Sequence, residues 1–189
     1  MPDDLPEPKR SLYLRLLEQA KAESRPVTFD READSSDRVV GFVEQIGDTW
    51  LVLRQITSLS PDGFCALPIG EIKNLRVRDS NCVFSRATAL WPSESRLDMP
   101  PLDTTSLDQL IRTAANHWRV TTIYMEYEYP NDYFVGSIEH IDSDSVTVRV
   151  LDSDGIWMND LRSWVLEDIT FLEFGDRYAT ALFAVAVNR

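Results

Sequence analysis

Residues 41–53 have the sequence GFVEQIGDTWLVL, and residues 136–148 have the sequence GSIEHIDSDSVTV. In both segments a glycine opens an apolar run, a short polar stretch follows, and a second run rich in β-branched or aromatic residues begins. Runs of this composition, separated by Gly, Asp and Ser, predict two antiparallel strands joined by a tight turn. Because the segments lie 95 residues apart, they indicate that one structural unit occurs twice in the chain.

The repeat extends beyond these two segments. After a deletion and a compensating insertion at turn residues, the C-terminal parts of the two copies also align. The sequence therefore predicts a first unit at residues 1–90, a linker rich in Pro, Ser and Asp at residues 91–105, and a second unit at residues 106–189. A shift of 95 residues places several residues of the first copy on identical residues of the second: Ser11, Leu12, Gly41, Glu44, Ile46 and Arg54 align with Ser106, Leu107, Gly136, Glu139, Ile141 and Arg149.

Each copy is predicted to begin with an amphipathic helix and to continue with five short strands. Apolar residues recur at helical spacing between Leu12 and Ala20 and between Leu107 and Trp118. The fold class is therefore mainly β with α. The strands are expected at residues 27–29, 39–46, 50–56, 64–67 and 72–77, and at residues 123–129, 133–141, 146–151, 156–158 with 164–166, and 169–174.

The N-terminal helix, the five strands and the glycine of GFVEQIGDTWLVL, repeated in GSIEHIDSDSVTV, resemble the Sm-like family. The resemblance implies two tandem Sm-like units. Each would be an N-terminal helix followed by a strongly bent five-stranded antiparallel sheet or small barrel. It also implies that the glycine allows the second strand to bend sharply.

The residues with which Sm-like proteins bind RNA are replaced in this chain. Members that bind RNA carry an Asp followed by an Asn between strands two and three, and an Arg-Gly or similar pair before the last strand. Asp48 or Asp142 can take the acidic position, but Leu51 or Val146 occupies the asparagine position. The pairs before the last strand are Ile69-Gly70 and Leu166-Glu167 in place of Arg-Gly. A degenerate Sm-like RNA-binding protein is therefore the alternative rather than the leading hypothesis.

The net charge narrows the classes of partner. The chain carries 19 Lys and Arg against 31 Asp and Glu, a formal charge of -12, whereas nucleic acids and anionic membranes are bound through a basic surface. The excess lies mainly in the second copy, because residues 1–95 carry 12 basic and 15 acidic side chains and residues 96–189 carry 7 and 16. A basic protein is the partner that this charge suits.

Acidic and aromatic side chains alternate in the predicted strand at residues 123–129 and continue just after it. We expect them to form an exposed surface that binds a basic protein. The chain would then act as a non-catalytic protein-binding module, for example as an immunity or regulatory protein. The alternative is a solvated face that only keeps the protein soluble. The candidate partner-binding residues are Tyr124, Glu126, Glu128, Asp132 and Tyr133.

The sequence predicts no enzyme activity, no metal site and no cofactor. The two histidines, His117 and His140, lack the spacing of metal ligands. A hydrolase that uses the carboxylates of the second copy is a third possibility, but turn chemistry accounts for these residues, which are Asp142, Asp144, Asp152 and Asp154.

The uncharged run at residues 178–187, YATALFAVAV, is expected to form a C-terminal strand, with residues 82–90 as its weaker counterpart. At an open sheet edge it would promote aggregation, so we expect it to be covered by the first domain or, as the second choice, by another subunit in a homodimer. The N-terminus shows no secretion signal, no segment is long enough to span a membrane, and Cys65 and Cys82 are expected to stay free thiols. These features predict a cytoplasmic protein of bacterial type.

Overall fold

The computed structural model describes residues 6–34, 38–92 and 99–188. The chain divides into two compact units, Met1–Met99 and Pro100–Arg189. This boundary lies within the predicted linker of residues 91–105, although residues 93–98 of that linker are outside the described part. Residues 1–5, on which the expectation about a secretion signal partly rests, are outside it as well.

The first unit is a helix followed by five antiparallel strands and a short second helix. Helix α1 is Glu7–Ala22 and helix α2 is Val83–Thr88. Helix α1 buries Tyr13, Leu17 and Ala20 and lies against the sheet. The strands pair in the order β5-β1-β2-β3-β4. They are β1 Pro26–Arg31, β2 Arg38–Ile46, β3 Trp50–Thr57, β4 Ser60–Pro68 and β5 Ile72–Val77, with one 3-10 turn, Ile69–Glu71, before β5.

The second unit has the same sequence of elements. Helix α3 is Leu107–Ala115 and buries Leu110, Ile111 and Ala114, and helix α4 is Arg177–Val187. The strands pair in the order β10-β6-β7-β8-β9. They are β6 Thr121–Tyr124, β7 Tyr133–Ile141, β8 Ser145–Leu151, β9 Trp157–Val165 and β10 Phe171–Phe174, with one 3-10 turn, Leu166–Asp168, before β10.

The expected fold class, mainly β with α, is confirmed by these elements. In each unit the described strands pair in a linear order, so each of the two strand sets is open rather than closed into a small barrel. Strand β9 is one continuous strand instead of the two predicted pieces. Among the described residues, no helix combines the length and the apolar character needed to cross a bilayer.

The glycines that open the two repeated segments allow neighbouring strands to approach closely. A Cβ atom added at Gly41 would lie 2.5 Å from the carbonyl oxygen of Arg54 in β3, and one added at Gly136 would lie still closer to the carbonyl oxygen of Arg149 in β8. Real Cβ atoms do not come that near a backbone oxygen, so a larger residue would force the strands apart. The close strand contact therefore depends on glycine at both positions.

The predicted C-terminal strand is wrong, because residues 177–187 form helix α4. A carboxylate oxygen of Asp176 accepts the amide N–H of Ala179 at 2.8 Å and caps this helix. Ala179 and Leu182 then bury one helix face against Val135 and Leu151 of the sheet. The apolar run thus has helical spacing, and a homodimer contact through a C-terminal strand loses its basis. The weaker counterpart, residues 82–90, likewise contains helix α2 rather than a strand.

Candidate functional site

The predicted strand at residues 123–129 ends early. Strand β6 stops at Tyr124, and the carbonyl oxygen of Met125 accepts the amide N–H groups of Glu128 and Tyr129 at 3.0 and 2.7 Å. Pro130 follows, and Asn131 has a φ of 69°, which belongs to a turn. The alternation of acidic and aromatic residues was therefore misleading, and Glu126 and Glu128 are not strand residues.

Two of the predicted partner-binding residues form a cross-strand pair. Tyr124 in β6 lies directly opposite Tyr133 in β7, and their ring centroids are 5.6 Å apart. A third ring, that of Tyr178 in the first turn of α4, lies 6.0 Å from the Tyr133 ring at an interplanar angle of 82°. Aromatic pairs at such distances and angles are attractive. The structure therefore brings together three tyrosines from three separate elements.

A carboxylate from β10 completes this group. The Tyr124 hydroxyl donates a hydrogen bond of 2.6 Å to Oε2 of Glu173. Burial raises the pKa of Tyr124 well above its ordinary value, and the charge and hydrogen bond of Glu173 add to the rise. We call Tyr124, Tyr133, Tyr178 and Glu173 the tyrosine patch.

The surroundings of Tyr133 also favour the protonated form of its hydroxyl. Its hydrogen bond with Tyr178 and its partial burial raise the pKa of Tyr133, and the negative charges of Glu173 and Asp176 contribute in the same direction. Tyr133 and Tyr178 are 45% and 49% exposed. The patch thus presents two partly exposed tyrosine rings to solvent close to two carboxylates.

The other predicted residues have different roles. Glu126 is half-buried, and its carboxylate accepts a hydrogen bond from the Thr170 hydroxyl. Its amide N–H donates to the same hydroxyl oxygen at 3.3 Å, so Glu126 fastens the β6–β7 connection to the residues before β10. Glu128 and Asp132 are exposed in that connection.

A second aromatic group lies apart from the tyrosine patch. Phe134 follows Tyr133 in β7, so its side chain points to the opposite face of the sheet. Its ring centroid lies 4.8 Å from that of Trp164 and 5.4 Å from that of Tyr129, and the guanidinium of Arg162 lies over the Phe134 ring. Tyr129 therefore packs beside Phe134 and does not extend the tyrosine patch.

Sequence reasoning missed Tyr178 and Glu173. Tyr178 was assigned to a strand, although Asp176 followed by an alanine-rich run with apolar residues three and four apart is a signal for a capped helix. Glu173 lies within a correctly predicted strand, but no local pattern shows that Tyr124, 49 residues earlier, bonds to it. Its role depends on the pairing of β10 with β6.

Among the acidic turn residues of the second unit, Asp152 bonds to the backbone and Asp142 contacts a histidine. Oδ1 of Asp152 accepts the amide N–H groups of Asp154 and Ile156 at 3.0 and 2.8 Å. His140 lies 3.0 Å from a carboxylate oxygen of Asp142 on the surface. In the described parts of the chain, no three His, Cys, Asp or Glu side chains are grouped as metal ligands would be.

The residues that the Sm-like resemblance places at the asparagine position are buried and apolar. They are Leu51 and Val146, which have no exposed surface. Neither side chain offers a hydrogen bond to a base edge.

Comparisons of this chain with protein-family models, with curated proteins and with solved structures found no match. The tyrosine patch is therefore the basis on which a function can be proposed.

Proposed function

We propose that the chain consists of two copies of an Sm-like unit and acts as a non-catalytic protein-binding module. The second unit recognises a basic protein through the tyrosine patch, as an immunity or regulatory protein would. One observation carries this proposal. The half-exposed rings of Tyr133 and Tyr178 lie in contact, and the Glu173 carboxylate adds negative charge beside them.

The duplication is supported by irregularities of the backbone. Both units place a helix before five strands with the same pairing order, and both have a 3-10 turn before the last strand. β-bulges are specific local features that random strand pairs would not share. Two register shifts of the first unit recur in the second at an offset of 95 residues: those at Val43/Gln45 and Arg54/Ile56 recur at Ile138/His140 and Arg149/Leu151.

The chemistry of the patch favours a basic protein over other partners. Tyrosine supplies a large contact area with little loss of side-chain freedom, which is why it is common in binding surfaces. The exposed carboxylates of Glu128 and Asp132 on the adjoining connection add negative charge. Complementary charge raises the rate of association and selects among partners.

RNA binding by a degenerate Sm-like protein is the less favoured alternative. A base pocket needs polar groups for the base edge and cations for the phosphates. Leu51 and Val146 provide neither, and residues 96–189 carry 7 basic side chains against 16 acidic ones.

A capture experiment with the whole protein tests the proposal. The wild-type protein and a variant with Tyr133→Ala, Tyr178→Ala and Glu173→Gln are immobilised and exposed to native lysate, then eluted with increasing salt. A matched control variant carries Asp154→Asn and Glu167→Gln, two exposed acidic residues of the same unit that lie outside the patch. We expect basic proteins to be retained by the wild type and the control, lost by the patch variant, and released by salt, since salt screens surface charges.

Three results would count against the proposed function. Retention of the same proteins by the patch variant would remove the tyrosine patch from recognition. Retention that does not depend on ionic strength would remove the electrostatic mechanism. Tight, salt-sensitive binding of uridine-rich oligonucleotides by the wild type, with no protein captured, would favour the RNA alternative.

A further inference from the structure

The tyrosine patch offers two aromatic surfaces to one incoming group. The Tyr133 and Tyr178 rings are each about half exposed, and their planes meet at 82° with centroids 6.0 Å apart. At this angle one ring turns its face, and the other its edge, toward a group that sits against the pair. The face of a tyrosine ring carries partial negative charge and attracts cations.

The surroundings of the two rings strengthen this attraction. The Glu173 carboxylate accepts a hydrogen bond from Tyr124, which lies directly across from Tyr133. Asp176 precedes α4 and is buried beneath its first turn, where it bonds the amide of Ala179. A cation from outside is therefore the group that the patch suits.

Arginine and lysine differ in how well they use such a surface. The guanidinium group is planar and weakly hydrated, so it can lie flat on a ring while its N–H groups donate in the plane to carboxylates. The lysine ammonium group is compact and strongly hydrated, and it must lose that water to approach a ring. A pair of rings beside carboxylates thus discriminates between two side chains of equal charge.

We propose that the tyrosine patch binds an arginine side chain of the basic partner, with the guanidinium stacked on the ring face that the Tyr133–Tyr178 pair presents and donating to the carboxylate of Glu173. This inference rests on the proposed function and names the side chain that the partner must present. Lysine at the same place in the partner would be a poor substitute.

Two fluorescent peptides of equal length and charge test this selectivity. One alternates glycine with arginine, the other alternates glycine with lysine, and both are titrated with the full-length protein at the same low ionic strength. We expect the arginine peptide to bind about fivefold more tightly, because an exposed cation–π contact contributes that order of discrimination.

Double substitutions at Tyr133 and Tyr178 separate the contribution of the aromatic rings to binding from that of the negative charge. Tyr133→Leu with Tyr178→Leu keeps apolar side chains but removes the aromatic faces, and it should bind both peptides equally. Tyr133→Phe with Tyr178→Phe keeps the rings and should keep the preference. Tyr127→Leu, at another exposed tyrosine of the same unit, is the matched control and should behave as the wild type.

The outcomes distinguish this inference from the function on which it rests. Equal affinity of the wild type for both peptides, or a preference that survives in the double Leu variant, would overturn arginine recognition and leave binding to a basic partner intact. Failure of the wild type to bind either peptide would overturn both. If the Leu variant does not fold, NMR of the wild type decides: arginine peptide must shift the ring resonances of Tyr133 and Tyr178, and unshifted rings refute the contact.

Discussion

Gly41→Ala should destabilise the first unit because the added methyl group has no room. Its Cβ would lie 2.5 Å from the backbone oxygen of Arg54 and 3.2 Å from Cβ of Leu53. The oxygen belongs to β3, so the contact is relieved only if β2 and β3 separate and their hydrogen bonds weaken. Overpacking costs about 1–3 kcal/mol, and we expect the upper end, about 3 kcal/mol, because backbone rather than a side chain must move.

Urea unfolding followed by circular dichroism measures this loss. With a slope of roughly 1–3 kcal/mol per molar urea, a loss of about 3 kcal/mol lowers the midpoint by about 1–3 M. Gly70→Ala is the matched control in the same unit, because no atom lies within 4 Å of a Cβ placed there. We expect the control to change the free energy of unfolding by less than about 0.5 kcal/mol. If the two variants unfold at the same urea concentration, the steric reasoning is refuted.

Two further substitutions test the second unit. Asp176→Ala removes the cap on Ala179 and should lower the free energy of unfolding by about 1 kcal/mol in urea, with the exposed Asp154→Ala as an unaffected control. Tyr124→Phe tests the pKa of Tyr124, which burial and Glu173 raise above 10.0. The neutral phenol stabilises the fold fully below about pH 10, and this stability decreases as the pH rises further. The Phe variant should therefore lose less stability than the wild type above that pH; equal losses would contradict the raised pKa.

Residues that the two similar sequence segments share have different partners in the two units. In the first, Nε of Arg54 donates to Glu44 at 2.7 Å, and the two side chains are 12% and 23% exposed. In the second, Glu139 accepts a hydrogen bond of 2.7 Å from Ser137 on the surface instead. The aligned pair thus stands in two different environments. A role found for one unit should therefore be tested, and not assumed, in the other.

The errors made from sequence have one origin. At residues 125–129 the alternation of acidic and apolar side chains has the period of a strand. The amide N–H groups of Glu128 and Tyr129 nevertheless bond the Met125 carbonyl oxygen and form a turn after β6. At residues 177–187 the apolar content favoured a strand, yet capping by Asp176 and burial of Leu182 select a helix. In both places the apolar pattern permits two conformations, and hydrogen bonds of a turn or a helix cap, together with burial, decide between them.

The sequence by itself determined the mainly β class with helices, the position of most strands, the glycines that let β2 and β7 approach their neighbours, and the acidic charge of the second half. Those properties depend on residue type and periodicity, which are local. Only the tertiary structure decided that Tyr133 meets Tyr178 and that Tyr124 bonds Glu173. These meetings depend on strand register and on the packing of α4, and such contacts join residues too far apart in the chain for any local pattern to record them.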